Sequence, residues 1–261
     1  MSKNRHRREI NYGSLQEDLI EPVQAAGHAI MRHYNCRPKT TIKPDGSPVS
    51  EADKEAEKIL IQAISSVTPD IKIISEENVE SHSLCPEEAF FLVDPLDGTK
   101  EFLNPDGGGA FTVNIGLVKQ KRPVMGIVYA PALDRLFYGS AGLGSFELSG
   151  GKKRKISVRK PSEAGLVAVT SASHLDPRTK KWLKAHNVRE VIGLSSSIKF
   201  CLIAAGEIDA YPRYGPTMEW DTAAGDAVLC AAGGSVKDEE GYPIIYGKRK
   251  YRNVPFFATG F

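Results

Sequence analysis

No run in the sequence approaches the ~18 consecutive apolar residues of a membrane span. Any membrane association is therefore expected to be peripheral, on the inner face of the cell membrane. Cysteine is scarce: Cys36, Cys85, Cys201 and Cys230 lie far apart and never form C-x-x-C, which excludes a disulfide framework, a zinc ribbon and a thioredoxin-type redox motif. The polar, basic stretch from Met1 to Arg8 has no apolar segment of the kind a signal peptide needs. A reduced, cytoplasmic protein is expected. Charge of one sign is also lacking: the net charge of +2 is far from a nucleic-acid-binding footprint. The short basic clusters Lys152–Lys155 and Lys248–Lys250 read as solvated loops. Gly139, Gly142 and Gly144 do not stand at a strand-to-helix switch in G-x-G-x-x-G order, so a dinucleotide-binding fingerprint is excluded.

What is present is a chain of 261 residues, 41% hydrophobic, enough to bury a full core as one large domain or two joined halves. Ser14-Leu15-Gln16-Glu17 is a capping-box pattern, and Leu15, Leu19, Val23, Ile30 and Tyr34 recur at helical spacing, which predicts a helix over 14–34. A second helix is predicted from Ser50 to the Thr68-Pro69-Asp70 stop. Between the two, Lys43 in a turn-rich loop is either solvated or within reach of a phosphate. Strands are expected at 71–74 and 90–93, then at 111–118, 124–129, 136–139, 145–148 and 156–158 as an antiparallel sheet. Beyond Pro161 strands and helices alternate. The fold class is α/β in the mixed α+β sense, with an N-terminal α+β half (1–160) and a C-terminal α/β half (161–261) sharing one cleft.

The chemistry gathers around Phe91-Leu-Val-Asp94-Pro95-Leu96-Asp97-Gly98-Thr99. Proline fixes φ and removes a donor, so a sharp turn is expected where the strand ends, bringing two carboxylates and a free carbonyl together. Hard oxygens at that spacing suit magnesium, and Gly98-Thr99 at a helix start would face a phosphate. An ordinary Asx turn followed by a helix cap accounts for the same residues. Glu76-Glu77, ending the preceding strand, delivers more acid to the same rim, a costly arrangement unless a cation sits between. Asp53 in a first helical turn and Asp221 as an N-cap each have a sufficient structural explanation. Ser196, Ser197 and Lys199 open a helix, Arg213 sits in a turn-rich strip, and His174 follows a strand end. Together they suggest a site for a second phosphate.

Laid side by side, Ser75-Glu76-Glu77, Asp94-Pro-Leu-Asp-Gly-Thr99 and Trp220-Asp-Thr-Ala-Ala-Gly225 resemble the inositol monophosphatase superfamily of magnesium-dependent, lithium-sensitive phosphatases. Lys100-Glu101-Phe102 and the segments around Ser196 and Arg213 look like its bacterial 3'(2'),5'-bisphosphate nucleotidase branch, associated with sulfate assimilation. The resemblance implies a layered αβαβα sugar-phosphatase-like fold and two or three Mg2+ ions on Glu76, Asp94, the Leu96 carbonyl, Asp97 and Asp221. It further implies Gly98 and Thr99 on the scissile phosphate, and Asp53, Thr99 and Glu76 as catalytic groups, with Asp53 accepting the Thr99 hydroxyl. Glu76, Leu96, Asp97, Asp221, His174, Ser196, Ser197, Lys199 and Arg213 would surround a small nucleotide bisphosphate, adenosine 3',5'-bisphosphate or its sulfated relative. An inositol or sugar monophosphatase on the same metal site is the alternative. A monomer is expected. The sequence departs from the pattern at Ser195, where relatives often carry glycine, and at Asp226, expected to face solvent.

Overall fold

A computed structural model of the chain describes residues 10–34, 36, 40–42, 48–85, 88–104, 108–172 and 176–261. The first helix, α1 (Tyr12–Tyr34), starts earlier than the capping-box pattern predicts. Asn11 supplies the cap, its Oδ1 accepting the Gly13 and Ser14 amides at 3.0 and 3.2 Å, so Ser14 is already inside the helix. A short ribbon of β1 (Thr40–Ile42) and β2 (Pro48–Ser50) leads into α2 (Glu51–Val67). Ser50 and Asp53 form a reciprocal capping box at its start, which satisfies amides that the first turn leaves without partners.

Seven strands follow as one sheet in chain order: β3 (Lys72–Ser75), β4 (Ala89–Asp97), β5 (Thr112–Lys119), β6 (Arg122–Ala130), β7 (Arg135–Ser140), β8 (Gly144–Ser149) and β9 (Lys152–Ile156), with the short helix α3 (Thr99–Leu103) between β4 and β5. The sheet is mixed rather than wholly antiparallel, because β3 and β4 run parallel. The run Lys152–Lys155, expected as loop, is most of β9, one of the two edge strands of the sheet. Exposed charge on an edge strand discourages pairing with another chain. β4 differs from expectation too. It continues through Pro95, and its pairing with β5 steps from Asp94↔Asn114 to Asp97↔Thr112. Proline has no N–H for the ladder, so the strand bulges there instead of turning away.

The second half contains β10 (Leu166–Ser171), α4 (Pro177–Ala185), β11 (Val188–Leu194), α5 (Ile198–Ala204), β12 (Ala210–Arg213), α6 (Ala223–Ala231), β13 (Ser235–Lys237) and β14 (Phe256–Thr259). Its sheet has the order β11-β10-β12-β14-β13. β10 is parallel to both neighbours, and β14 is antiparallel between β12 and β13.

Strands buried on both faces read as continuous apolar runs, and the larger sheet shows why. Phe91, Val93, Ile115 and Ile127 pack with Leu19, Ile30 and Leu60 of α1 and α2. Their neighbours Phe90, Leu92 and Val128 pack on the other face with Phe200 and Val228 of α5 and α6. That second cluster also holds Val169 and Phe256, so one core draws on both sides of residue 160. α6 sits hard on the sheet where Gly126 and Gly116 are paired. A Cβ at Gly126 would lie 2.1 Å from the Ala224 carbonyl oxygen, so no larger residue fits. This contact fixes where the chain enters α6, and therefore where Asp221 stands. Among the described residues no helix is long and apolar enough to cross a membrane.

Candidate active site

Parallel pairing of β3 with β4 puts Ser75 opposite Val93, and the Glu76 amide donates to the Val93 carbonyl at 3.1 Å. The two strands thus deliver Glu76 and Asp94 side by side at one edge. The entry to α6 adds Asp221, and oxygens of Glu76, Asp94 and Asp221 all lie within 4.8 Å of one another. Burial pushes the Asp94 carboxyl well above its ordinary range, and Glu76, Asp97 and Asp221 push it further. Asp221 is raised in the same way, burial first and then Asp97 and Glu76. Converging carboxylates with no cation repel one another; a hard divalent ion with oxygen ligands removes that cost. The donor set fits magnesium.

The expectation that Asp221 caps α6 is not met; Thr222 holds that position. The Asp221 Oδ2 instead accepts the Met218 amide at 2.8 Å, folding its own loop back. Asp97 lies outside the close trio. Its carboxyl is pushed up to about 6 by burial, opposed by Lys199 and by the Ser197 amide that it accepts. Leu96 is buried, with its amide donating to Asp94 Oδ1 at 3.0 Å and its carbonyl accepting the Thr99 hydroxyl at 3.1 Å. The hydrogen bond expected between Thr99 and Asp53 is therefore replaced, since a hydroxyl has one proton to give. Asp53 Oδ2 accepts the Ser50 amide and hydroxyl at 2.7 and 2.6 Å. Burial raises Asp53 to about 6. Gly98 has φ 89, and a Cβ there would meet the Ala110 carbonyl oxygen at 3.0 Å, so glycine is required where α3 begins.

A cavity of about 250 Å³ brings Asp97, Gly98, Thr99, Ser196, Lys199, Arg213 and Asp221 to one space. Lys199 is buried, which lowers its ammonium to about 8 against the opposing pull of Asp97. Its Nζ donates to the carbonyls of Leu194, at 3.3 Å, and Ser196. Arg213 Nη2 donates to the Pro216 carbonyl at 3.1 Å, while its buried Nε has no acceptor. Ser197 is turned away, its hydroxyl bonded to Asn114 and Thr112 at 2.5 and 2.9 Å; packing against β5 claims it, so only its amide faces Asp97. Positive φ falls on Ser196, at 59°, and not on the atypical Ser195. His174 and Lys43 lie outside the described residues. Asp226, expected in solvent, is fully buried. It accepts the Tyr246 hydroxyl at 2.9 Å and the Cys230 thiol at 3.0 Å, because the inner face of α6 is covered by the segment that carries Tyr246.

Several residues that sequence reasoning passed over hold this site in place. Buried Glu219 accepts the amides of Gly247 and Lys248 at 2.6 and 2.9 Å and the Lys248 ammonium at 2.7 Å, so Lys248 is committed to the loop of Asp221 and is not merely solvated. His82 links two acid-bearing segments. Its ring stacks on Trp220 at 4.7 Å, and its Nε2 donates to the Ser75 carbonyl at 2.8 Å. It thereby touches the residue before Asp221 and the residue before Glu76. Groups that orient metal ligands from behind commonly affect affinity about tenfold or more. His82→Ala is accordingly expected to weaken magnesium binding about tenfold in a calorimetric titration; unchanged affinity would reduce the stack to packing. Glu101, named above only within the Lys100-Glu101-Phe102 segment, and Ser195, named only as a departure from the family pattern, also line the cavity.

A sequence profile of the Inositol monophosphatase family matches residues 14–255. The 3'(2'),5'-bisphosphate nucleotidase CysQ of Salmonella typhimurium (strain LT2) is 39% identical over 249 residues, 94% of this chain and 99% of that protein. The protein of the same name in Escherichia coli K12 is 39% identical over 248 residues, again 94% and 99% of the two chains. The crystal structure of CysQ from Bacteroides thetaiotaomicron, a bacterial member of the inositol monophosphatase family, has a TM-score of 0.84 at 34% identity and covers 97% of this chain and 99% of that one.

Proposed function

The chain belongs to the inositol monophosphatase family, and from that premise we propose that it is a magnesium-dependent 3'(2'),5'-bisphosphate nucleotidase. It removes the 3'-phosphate of adenosine 3',5'-bisphosphate to give AMP and phosphate. The observation that carries this reading is one cavity lined by Asp97 and Asp221 of the acidic site on one side and by Lys199 and Arg213 on the other. Cations in the cavity beyond the scissile phosphate's own site suit a second phosphate on the substrate, which a monophosphate ester lacks.

Glu76, Asp94 and Asp221 would hold magnesium, and the family pattern adds the Leu96 carbonyl and Asp97 as further ligands. When bound it supplies Lewis acidity to a phosphoryl group and to the attacking water. The chain's own residues do the rest. Gly98 and Thr99 orient the phosphoryl oxygens, and the Thr99 hydroxyl, once released from the Leu96 carbonyl, directs the water in line with the ester bond. Asp53, raised to about 6, is ionised at neutral pH and takes a proton. The bond from phosphorus to the ribose 3'-oxygen breaks, that oxygen takes a proton from solvent, and Asp53 returns its proton to solvent as phosphate leaves. Lys199 and Arg213 grip the phosphate that stays.

The reading extends to two or three ions, to lithium inhibition and to the sulfated analogue as a second substrate, which would tie the protein to sulfate assimilation. A phosphate-release panel tests it. Purified protein receives magnesium with adenosine 3',5'-bisphosphate, inositol monophosphate or fructose bisphosphate, each with and without lithium. Lys199→Ala and Arg213→Ala should each lower kcat/KM on the adenosine substrate by about ten- to a hundredfold and leave the inositol ester nearly unaffected. Equal losses on both, or fastest release from the inositol ester, would favour a monophosphatase. Tight binding of the adenosine bisphosphate without phosphate release would point to a sensor.

A further inference from the structure

Glu101 is a carboxylate in a cavity read as a site for a polyanion, and its presence there needs a reason. It lines the same space as Thr99, Lys199 and Arg213. Its Oε1 accepts the Ser195 hydroxyl at 2.5 Å, a link between α3 and the segment that joins β11 to α5. An ionised carboxylate only accepts hydrogen bonds; it repels phosphoryl oxygens and attracts hydroxyl groups. Ser195 uses one of roughly four acceptor positions on the two oxygens, and it shows that a hydroxyl can approach.

With the scissile phosphate at Gly98 and Thr99 and the retained one at Lys199 and Arg213, the sugar between them would lie in the space that Glu101 and Ser195 also line. The ring carbon next to the scissile ester of a ribonucleotide carries a free hydroxyl. We propose that Glu101, backed by Ser195, reads this vicinal hydroxyl, making the site selective for ribonucleotides over 2'-deoxyribonucleotides. One acceptor at that position serves both ester isomers, because a 3'-phosphate leaves the 2'-hydroxyl free and a 2'-phosphate leaves the 3'-hydroxyl free. Glu101 is a specificity residue that touches substrate, and Ser195 positions it.

The inference rests on the bisphosphate reading, and the experiment separates the two. Phosphate release by the magnesium-loaded wild type is measured on adenosine 3',5'-bisphosphate and on its 2'-deoxy analogue. The ratio of the two kcat/KM values should be about ten to a hundred, the range for losing one hydrogen bond to a charged group. In Glu101→Ala the ratio should fall toward one, and in Glu101→Gln, which keeps a neutral acceptor, it should lie between. A wild-type ratio within about twofold of one would overturn the proposal, as would a ratio unchanged in Glu101→Ala. The wild-type ratio needs no variant, so a misfolded Glu101→Ala would not rescue the idea. Release from the ribose substrate with no discrimination defeats this inference alone; no release from either defeats the nucleotidase reading and this inference with it.

Discussion

Asp94→Asn is expected to raise the melting temperature of the metal-free protein, to abolish the rise in Tm on adding magnesium, and to lower kcat at least about a thousandfold, equivalent to ~4 kcal/mol of barrier. These opposite signs follow from one cause. Asp94 is buried among acids and raised by burial, Glu76, Asp97 and Asp221, so its charge opposes folding until a cation arrives. Asparagine removes that charge and keeps an oxygen for the Leu96 amide, which Asp94 Oδ1 accepts at 3.0 Å, so the bulge in β4 survives. A ligand at a hundred times its Kd stabilises by about 2.7 kcal/mol, which for a chain of this size corresponds to a Tm rise of roughly 5 to 10 °C in the wild type. Differential scanning calorimetry with and without magnesium reads both effects. If Asp94→Asn lowers the metal-free Tm and retains the full magnesium shift, Asp94 is a structural residue and the acidic trio is not a cation site.

The parts of this site visible in the sequence are those governed by local chemistry. A strand ending in Asp94-Pro95-Leu96-Asp97-Gly98 announces itself by composition, and Glu76 at the end of the preceding strand follows from the same logic. What stays hidden depends on contacts far along the chain. The Ser195 hydroxyl meets Glu101 across 94 residues, and nothing in either segment alone points to the other. One helical turn past Asp221, Asp226 has a solvent-facing position by local spacing; Tyr246, 20 residues away, decides otherwise. β14 is four residues long, too short for periodicity to show, yet it is an interior strand of the second sheet, between β12 and β13. The cap of α1 is a different and local matter, two capping residues, Asn11 and Ser14, competing within one turn.

Asp53→Asn is the second large effect. It should lower kcat by about a hundred- to ten-thousandfold, the usual range for removing a general base, and should flatten the acidic limb of the pH profile. In the wild type that limb is expected near or below pH 6, because burial holds Asp53 at about 6 against an ordinary 3.8, and cations on neighbouring Glu76 would draw it down. The direction is fixed: proton acceptance needs the ionised form, so kcat rises with pH through this value and then levels. Stability moves the other way. A carboxyl whose folded pKa lies above its unfolded one binds its proton more tightly in the native state, so its contribution is complete below 3.8 and is lost as pH climbs through about 6. Asparagine keeps an oxygen for the Ser50 amide and hydroxyl, 2.7 and 2.6 Å away in the wild type, so the cap of α2 persists and metal-free stability above pH 6 should not fall. A profile of kcat from pH 5 to 8, with parallel melting curves, separates the two roles. Should the variant unfold while a refolded fraction keeps full turnover and the acidic limb, Asp53 does no more than cap its helix.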